Sequence, residues 1–275
     1  MVFMDPRDAR LYQAWVADIN QMELSGSDAN LNVIVQIGFN AGHTYRYYVT
    51  LDQKKTEIRS PCATAPNGET VNPGDPDALH DFITWGKTNF PADHYAIVLA
   101  GHGQGWQGTM LFDNLDHLTL AELSSGLGAL GAKFDVVLFY SCLMGQIEVG
   151  HQLEGRATMM VASEEVTLTV FPWQGFITKL KNNTGWNAGQ FADTAAQDFA
   201  ARLRLRPTAT PLSSMPRIRI IRIWASLSAS APALGSQPAG RWRLARRPAS
   251  TMEPAPARRA ENARYVGMTT APGRR

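Results

Sequence analysis

At 275 residues and 44% hydrophobic, the chain is long enough to bury a large core. No apolar run reaches the roughly 18 residues of a membrane span, and the start "MVFMDPRDAR" carries acids where a signal peptide has a basic start and an apolar stretch, so neither insertion nor such a leader is expected. Two cysteines, Cys62 and Cys142, are too few for a disulfide scaffold, and neither belongs to a metal-type pair.

Along the first 200 residues, helical and strand patterns alternate. "DPRDARLYQAWVADINQMELSG" spaces Leu11, Trp15, Ile19 and Met22 for one helical face and stops at Gly26, and the β-branched "LNVIVQIGF" follows as a strand. "TYRYYVTL" predicts a second strand, hairpinned to the first across "NAGH". "DPDALHDFITWGKTNF" offers Asp75 as N-cap, Pro76 at the first helical position, and Leu79, Phe82 and Ile83 on one face. "HYAIVLAG" is a short apolar run suited to a strand buried on both faces, and "FDVVLFYS" is another. Between them, Thr119 and Glu122 have capping-box spacing at the head of a helix. "CLMGQIEVGHQLEG" predicts a helix start, "ATMMVASEE" a strand, and "NAGQFADTAAQDFAARL" a helix with Phe191 and Phe199 on one side. Strands alternating with helices imply an α/β fold with a mostly parallel sheet.

The formal charge of +2 conceals a division. Residues 1–200 hold 11 basic and 22 acidic side chains, net −11, and residues 201–275 hold 15 and 2, net +13. The stretch therefore divides into a core, 1–202, and a tail, 203–275. All 15 basic residues of the last stretch are arginine, among abundant Ala, Pro and Ser. An evolved polybasic arm normally mixes Lys and Arg, so this composition fits a change of reading frame near residue 203 in a GC-rich gene; the other reading is a basic arm for nucleic acid or acidic surfaces. Either way, most of the tail is expected to be poorly ordered.

In a parallel sheet, catalytic groups collect at the carboxyl ends of the strands. His102 and Cys142 each follow a buried strand, with one helical crossover between them, which would place both at the same edge on near-neighbour strands. An imidazole there can accept or hold the thiol proton, a following helix would favour a thiolate at Cys142, and the N–H groups of Gly103 and Cys142 could form an oxyanion hole. As residue types alone, a strand-end cysteine is more often an inert small hydrophobe, and a histidine among glycines is more often structural. "GQGWQG" also matches G-x-G-x-x-G, but no helix opens after it, so the dinucleotide reading fails on context. Cys62 falls in the turn-rich "SPCATAPNGE".

The text "FPADHYAIVLAGHGQGW", then "FDVVLFYSCLMGQIEVGHQL" with Glu148, and "MMVASEE", resembles the clostripain family of cysteine peptidases, with the likeness running over roughly residues 10–200. The resemblance implies a caspase-like fold, a three-layer sandwich of mostly parallel sheet between helices. It also implies a Cys142–His102 dyad, an oxyanion hole at Gly103 and Cys142, and a peptide or protein substrate. No cofactor is required for that chemistry, although calcium use and self-cleavage occur in the family; only Lys133 stands as a basic site between His102 and Cys142. By the same likeness Tyr140, Ser163 and Glu164 are candidate substrate-binding residues. Tyr140 occupies the place of a family aspartate two residues before the nucleophile, so a basic-residue preference is not implied. The family's first strand and C-terminal part are expected to be absent. No membrane partner is expected, and nucleic acid only through the basic tail. The alternative reading is a non-catalytic remnant or a binding protein using that tail.

Overall fold

The computed structural model describes residues 1–5, 9–39, 43–64, 71–112, 116–167, 171–204 and 218–222. The first half runs β1 (Val2–Met4), α1 (Ala9–Glu23), β2 (Ile34–Phe39), β3 (His43–Tyr48), β4 (Cys62–Thr64), α2 (Pro76–Asn89) and β5 (Ala96–Ala100). The second runs β6 (Thr109–Phe112), β7 (Asp116–Leu118), α3 (Leu120–Leu127), β8 (Phe134–Tyr140), α4 (Ile147–Gln152), β9 (Ala157–Ser163), α5 (Trp173–Asn182), α6 (Ala188–Arg204) and β10 (Ile218–Arg222). One eight-stranded sheet has the order β10-β9-β8-β5-β1-β2-β3-β4, and β6 and β7 form a separate hairpin. Neighbouring strands from β9 through β2 are parallel, whereas β3, β4 and β10 each join antiparallel.

The apolar runs at β5 and β8 are explained by cores on both faces. Val98, Ala100, Val136, Leu138 and Tyr140 pack with Trp15, Ile19 and Met22 of α1 and with Phe176, Phe191 and Phe199 of α5 and α6. Ile97, Leu99, Val137 and Phe139 pack on the opposite face with Leu79, Phe82 and Ile83 of α2, Leu123 and Leu127 of α3, and Val149 of α4. A side chain as large as Leu or Phe gains about 1.5–3 kcal/mol on full burial, so these two faces supply most of the drive to fold. The caps are built as the sequence predicts: Asp75 accepts from the Asp77 N–H, and Thr119 and Glu122 close a reciprocal capping box on α3. Gly26 ends α1 with its N–H on the Met22 carbonyl.

Several expectations need correction. A first strand is present: Val2, Phe3 and Met4 are buried and pair in parallel with both β2 and β5. Its three residues are too few to carry a periodic signal, and Pro6 follows at once. Part of the stretch read as a tail belongs to the sheet, because β10 pairs with β9 from Ile218↔Ser163 to Arg222↔Met159; residues 205–217 and 223–275 lie outside the described residues, as does the "NAG" of the β2–β3 hairpin. Cys62 sits not in a loop but on β4, an edge strand. The helix after Cys142 starts only at Ile147, because Leu143 takes a left-handed φ of 63° that interrupts helical backbone. Cys142 therefore receives no helix-dipole support. Helix α5 was not anticipated.

Candidate active site

Strand pairing positions the site. β5 and β8 are adjacent and parallel, with Ala100 opposite Tyr140, so His102 and Cys142 each stand two residues past a matched pair at the carboxyl edge. Beyond the strands the two loops touch directly. A Cβ on Gly103 would lie 2.3 Å from the Cys142 carbonyl oxygen, so only glycine permits this approach. The His102 carbonyl accepts from the Met110 N–H at 2.9 Å and from the Thr109 hydroxyl at 3.0 Å, which folds the "GQGWQG" segment back as a turn into β6. That turn leads into a hairpin, so the glycine spacing serves loop closure.

On the other side, the Cys loop is held by the segment after β9. Gly145 donates to the Ser163 carbonyl at 2.7 Å, and Leu143 to the Glu165 carbonyl at 3.2 Å. The Cys142 Sγ accepts from the Thr167 N–H at 3.3 Å and stands 3.6 Å from the Thr167 carbonyl oxygen, which can accept a hydrogen bond from the S–H. Thr167 was not a sequence candidate, since no local pattern reports a contact across 25 residues. Cys142 is half-buried and the His102 residue is exposed. Two non-glycine residues with left-handed φ, Met110 at 56° and Leu143 at 63°, flank the pair, and strain of this kind is held only where surrounding contacts enforce it.

The candidate substrate-binding residues do not all face outward. Tyr140 is 2% exposed, its ring set edge-on to Trp15, Trp173 and Phe199 and its hydroxyl accepting from the Phe171 N–H at 2.9 Å. Ser163 is fully buried and its hydroxyl accepts from the Glu165 N–H. Both are corrected to structural roles: even-numbered β8 side chains point into the α1–α5–α6 core, and Ser163 clasps the loop that follows it. Glu164 is half-buried, whereas Glu148, Glu165, Trp106, Ile147 and Val166 are exposed around the two loops. Beneath Tyr140 lies Asp18 of α1, which burial pushes up to about 7 despite the neighbouring Trp173 and Tyr140. Its Oδ2 is buried with no hydrogen-bond partner among the described residues.

No helix among the described residues is long and apolar enough to cross a membrane. Among the described residues no group of three or more His, Cys, Asp or Glu is placed to hold a metal ion.

A family model described as the clostripain family matches residues 2–195. This chain belongs to the clostripain family. Clostripain of Hathewaya histolytica is 29% identical over 139 residues, covering 42% of this chain and 26% of its own length. Among solved structures, a secreted C11 cysteine protease of Bacteroides thetaiotaomicron, bound to an irreversible peptide inhibitor, superposes with a TM-score of 0.62 at 18% identity, over 80% of this chain and 64% of that one. An inactive zymogen C11 protease of Parabacteroides distasonis gives 0.57 at 19%, over 80% and 60%. The chain thus spans about a quarter of clostripain and under two thirds of the solved chains. The expected caspase-like architecture, a mostly parallel sheet between helical layers, is the one observed.

Proposed function

We propose that the chain is a cysteine peptidase core in which Cys142 is the nucleophile and His102 the general acid–base. The observation that carries this reading is the Ala100↔Tyr140 register with Gly103 seated on the Cys142 carbonyl, which brings a thiol and an imidazole to one edge of adjacent strands in a clostripain-family chain. The Cys142 sulfur attacks the scissile carbonyl carbon and its proton passes to His102. The N–H groups of Gly103 and Cys142 face the oxyanion of the tetrahedral species. His102 then protonates the departing amine as the C–N bond breaks. Water attacks the thioester carbonyl, gives its proton to His102, and releases the acid and the free thiol.

The test is a thiol titration. Iodoacetamide near pH 6 should alkylate Cys142 well before Cys62, and His102→Ala should slow it. Cys62 is the more exposed of the two, so preference for Cys142 cannot come from access. Equal rates at both thiols would return the non-catalytic alternative.

Substrate choice follows from Tyr140. With its ring buried and its hydroxyl engaged, this position offers no carboxylate to a basic side chain. A positional-scanning peptide library should therefore give Arg or Lys no more than a severalfold advantage at the cleaved position, with side chains able to lie on exposed Trp106, Ile147 or Val166 doing better. Strong selection for Arg would mean that Glu164 or Glu165 supplies the missing charge.

A further inference from the structure

Gln146 precedes the first residue of α4 and has the extended backbone of an N-cap, φ −99° and ψ 152°, yet its side chain makes no cap hydrogen bond. It reaches instead to the other loop. Its Oε1 accepts from the Trp106 N–H at 3.0 Å. Its amide also lies against Gly105, whose φ is +64°: a Cβ there would stand 2.2 Å from Nε2 and 2.5 Å from Cδ and Oε1. Gln is too long to rank among the good capping side chains, so its amide is available to another loop, and the Trp106 N–H and Gly105 are where it is spent.

The placement is symmetrical. Trp106 lies four residues after His102, and Gln146 four after Cys142. The β5–β8 register fixes the base of the two loops, Gly103 against the Cys142 carbonyl fixes the middle, and the Gln146–Trp106 bond ties the outer ends. Between the inner and outer ties lies Leu143 with its left-handed φ, a conformation that relaxes unless both sides are held.

We propose that Gln146 is a positioning residue that sets the His102 loop against Cys142, an inference that rests on the Cys–His peptidase reading above. Gln146 need not touch substrate; it limits how far the imidazole can drift from the sulfur. A displacement of about 1 Å in such a pair costs on the order of a hundredfold in rate, and loss of one of three ties should cost part of that.

The test uses the full chain with Gln146→Leu, which keeps size and removes the acceptor, and Gln146→Glu, which keeps an acceptor for the Trp106 N–H. Gln146→Leu should lower kcat about tenfold while KM moves less than about twofold, and Gln146→Glu should recover most of the loss. A cycle of Cys142 alkylation rates adds a readout that needs no turnover: His102→Ala should slow alkylation in the native background and have little further effect in Gln146→Leu, because the imidazole is already uncoupled. Thermal melts of the variants should match the parent. Should Gln146→Leu not melt cooperatively, Gly105→Ala, which displaces the amide and leaves Gln146 in place, takes its position in the cycle. The proposal is overturned if His102→Ala slows alkylation by the same factor in both backgrounds, or if Gln146→Glu melts normally and is as impaired as Gln146→Leu. A native chain that hydrolyses no peptide in a Cys142-dependent way would sink the peptidase reading alone, and the alkylation cycle would still decide the role of Gln146.

Discussion

Cys142→Ala should lower peptide hydrolysis by at least roughly a thousandfold, and His102→Ala by on the order of a hundredfold or more, with little change in melting temperature for either. The first change removes the atom that forms the acyl bond. The second leaves a thiol without a partner to take its proton and a leaving amine without a donor. Stability should hold because the His102 residue is exposed and Cys142 is only half-buried at the end of β8, so neither supports the core. The measurement is initial rate on a peptide selected from a library, with melts recorded on the same preparations. Turnover that survives Cys142→Ala would assign the activity to another group or to a contaminant. The double variant should be no worse than Cys142→Ala, since two groups that act as one unit do not contribute additively.

Asp18→Asn should stabilise the protein at pH 8 and do little at pH 4. The folded protein holds the Asp18 carboxyl at about 7, chiefly through burial, against an ordinary value near 4. Between those values the folded state keeps a proton that the unfolded chain releases, so this group's contribution falls as pH rises through the window and is lowest above pH 7. Ionising a carboxyl raised this far costs about 4 kcal/mol, an amount the asparagine avoids. The Oδ2 that lacks a partner among the described residues gives the geometric reason. Chemical denaturation of both proteins from pH 4 to pH 8 reads the difference directly; parallel curves would show that Asp18 ionises without cost. The aromatic cluster around Tyr140, immediately before the Cys loop, is where the charge would appear, so loss of cooperativity above pH 7 should begin at α1 against β8.

Much of this molecule was legible because its local and tertiary demands agree. The runs at β5, β8 and β9 are apolar on every residue that meets a core on either face, so length and composition alone mark them as buried parallel strands. The caps at Asp75 and Thr119 act within a single turn and could be read from spacing. His102 and Cys142 stand out as candidates because each comes just past such a strand. What remained hidden is long-range. The family likeness makes Tyr140 and Ser163 substrate candidates, whereas strand parity turns Tyr140 into the core and the loop after β9 folds over Ser163. Thr167 and Gln146 act across loops that no periodicity describes. β1 is too short to register against noise, and β10, whose "IRIIR" alternates at its start, lies in an Arg/Ala/Pro-rich stretch whose composition masks that period.

The two strands that carry His102 and Cys142 at their ends are interior strands, each with a partner on both sides, while β4 and β10 close the sheet at its rims. An amide of β5 or β8 exchanges with solvent only when the neighbour it donates to lets go, and those neighbours are themselves interior strands, which places this part of the sheet in the last unit to open. Fraying from either rim costs far less and leaves that unit intact. Evolutionary or engineered change at the rims is thus insulated from the chemistry, and a chain that has lost part of its edge protection can still keep His102 and Cys142 in register.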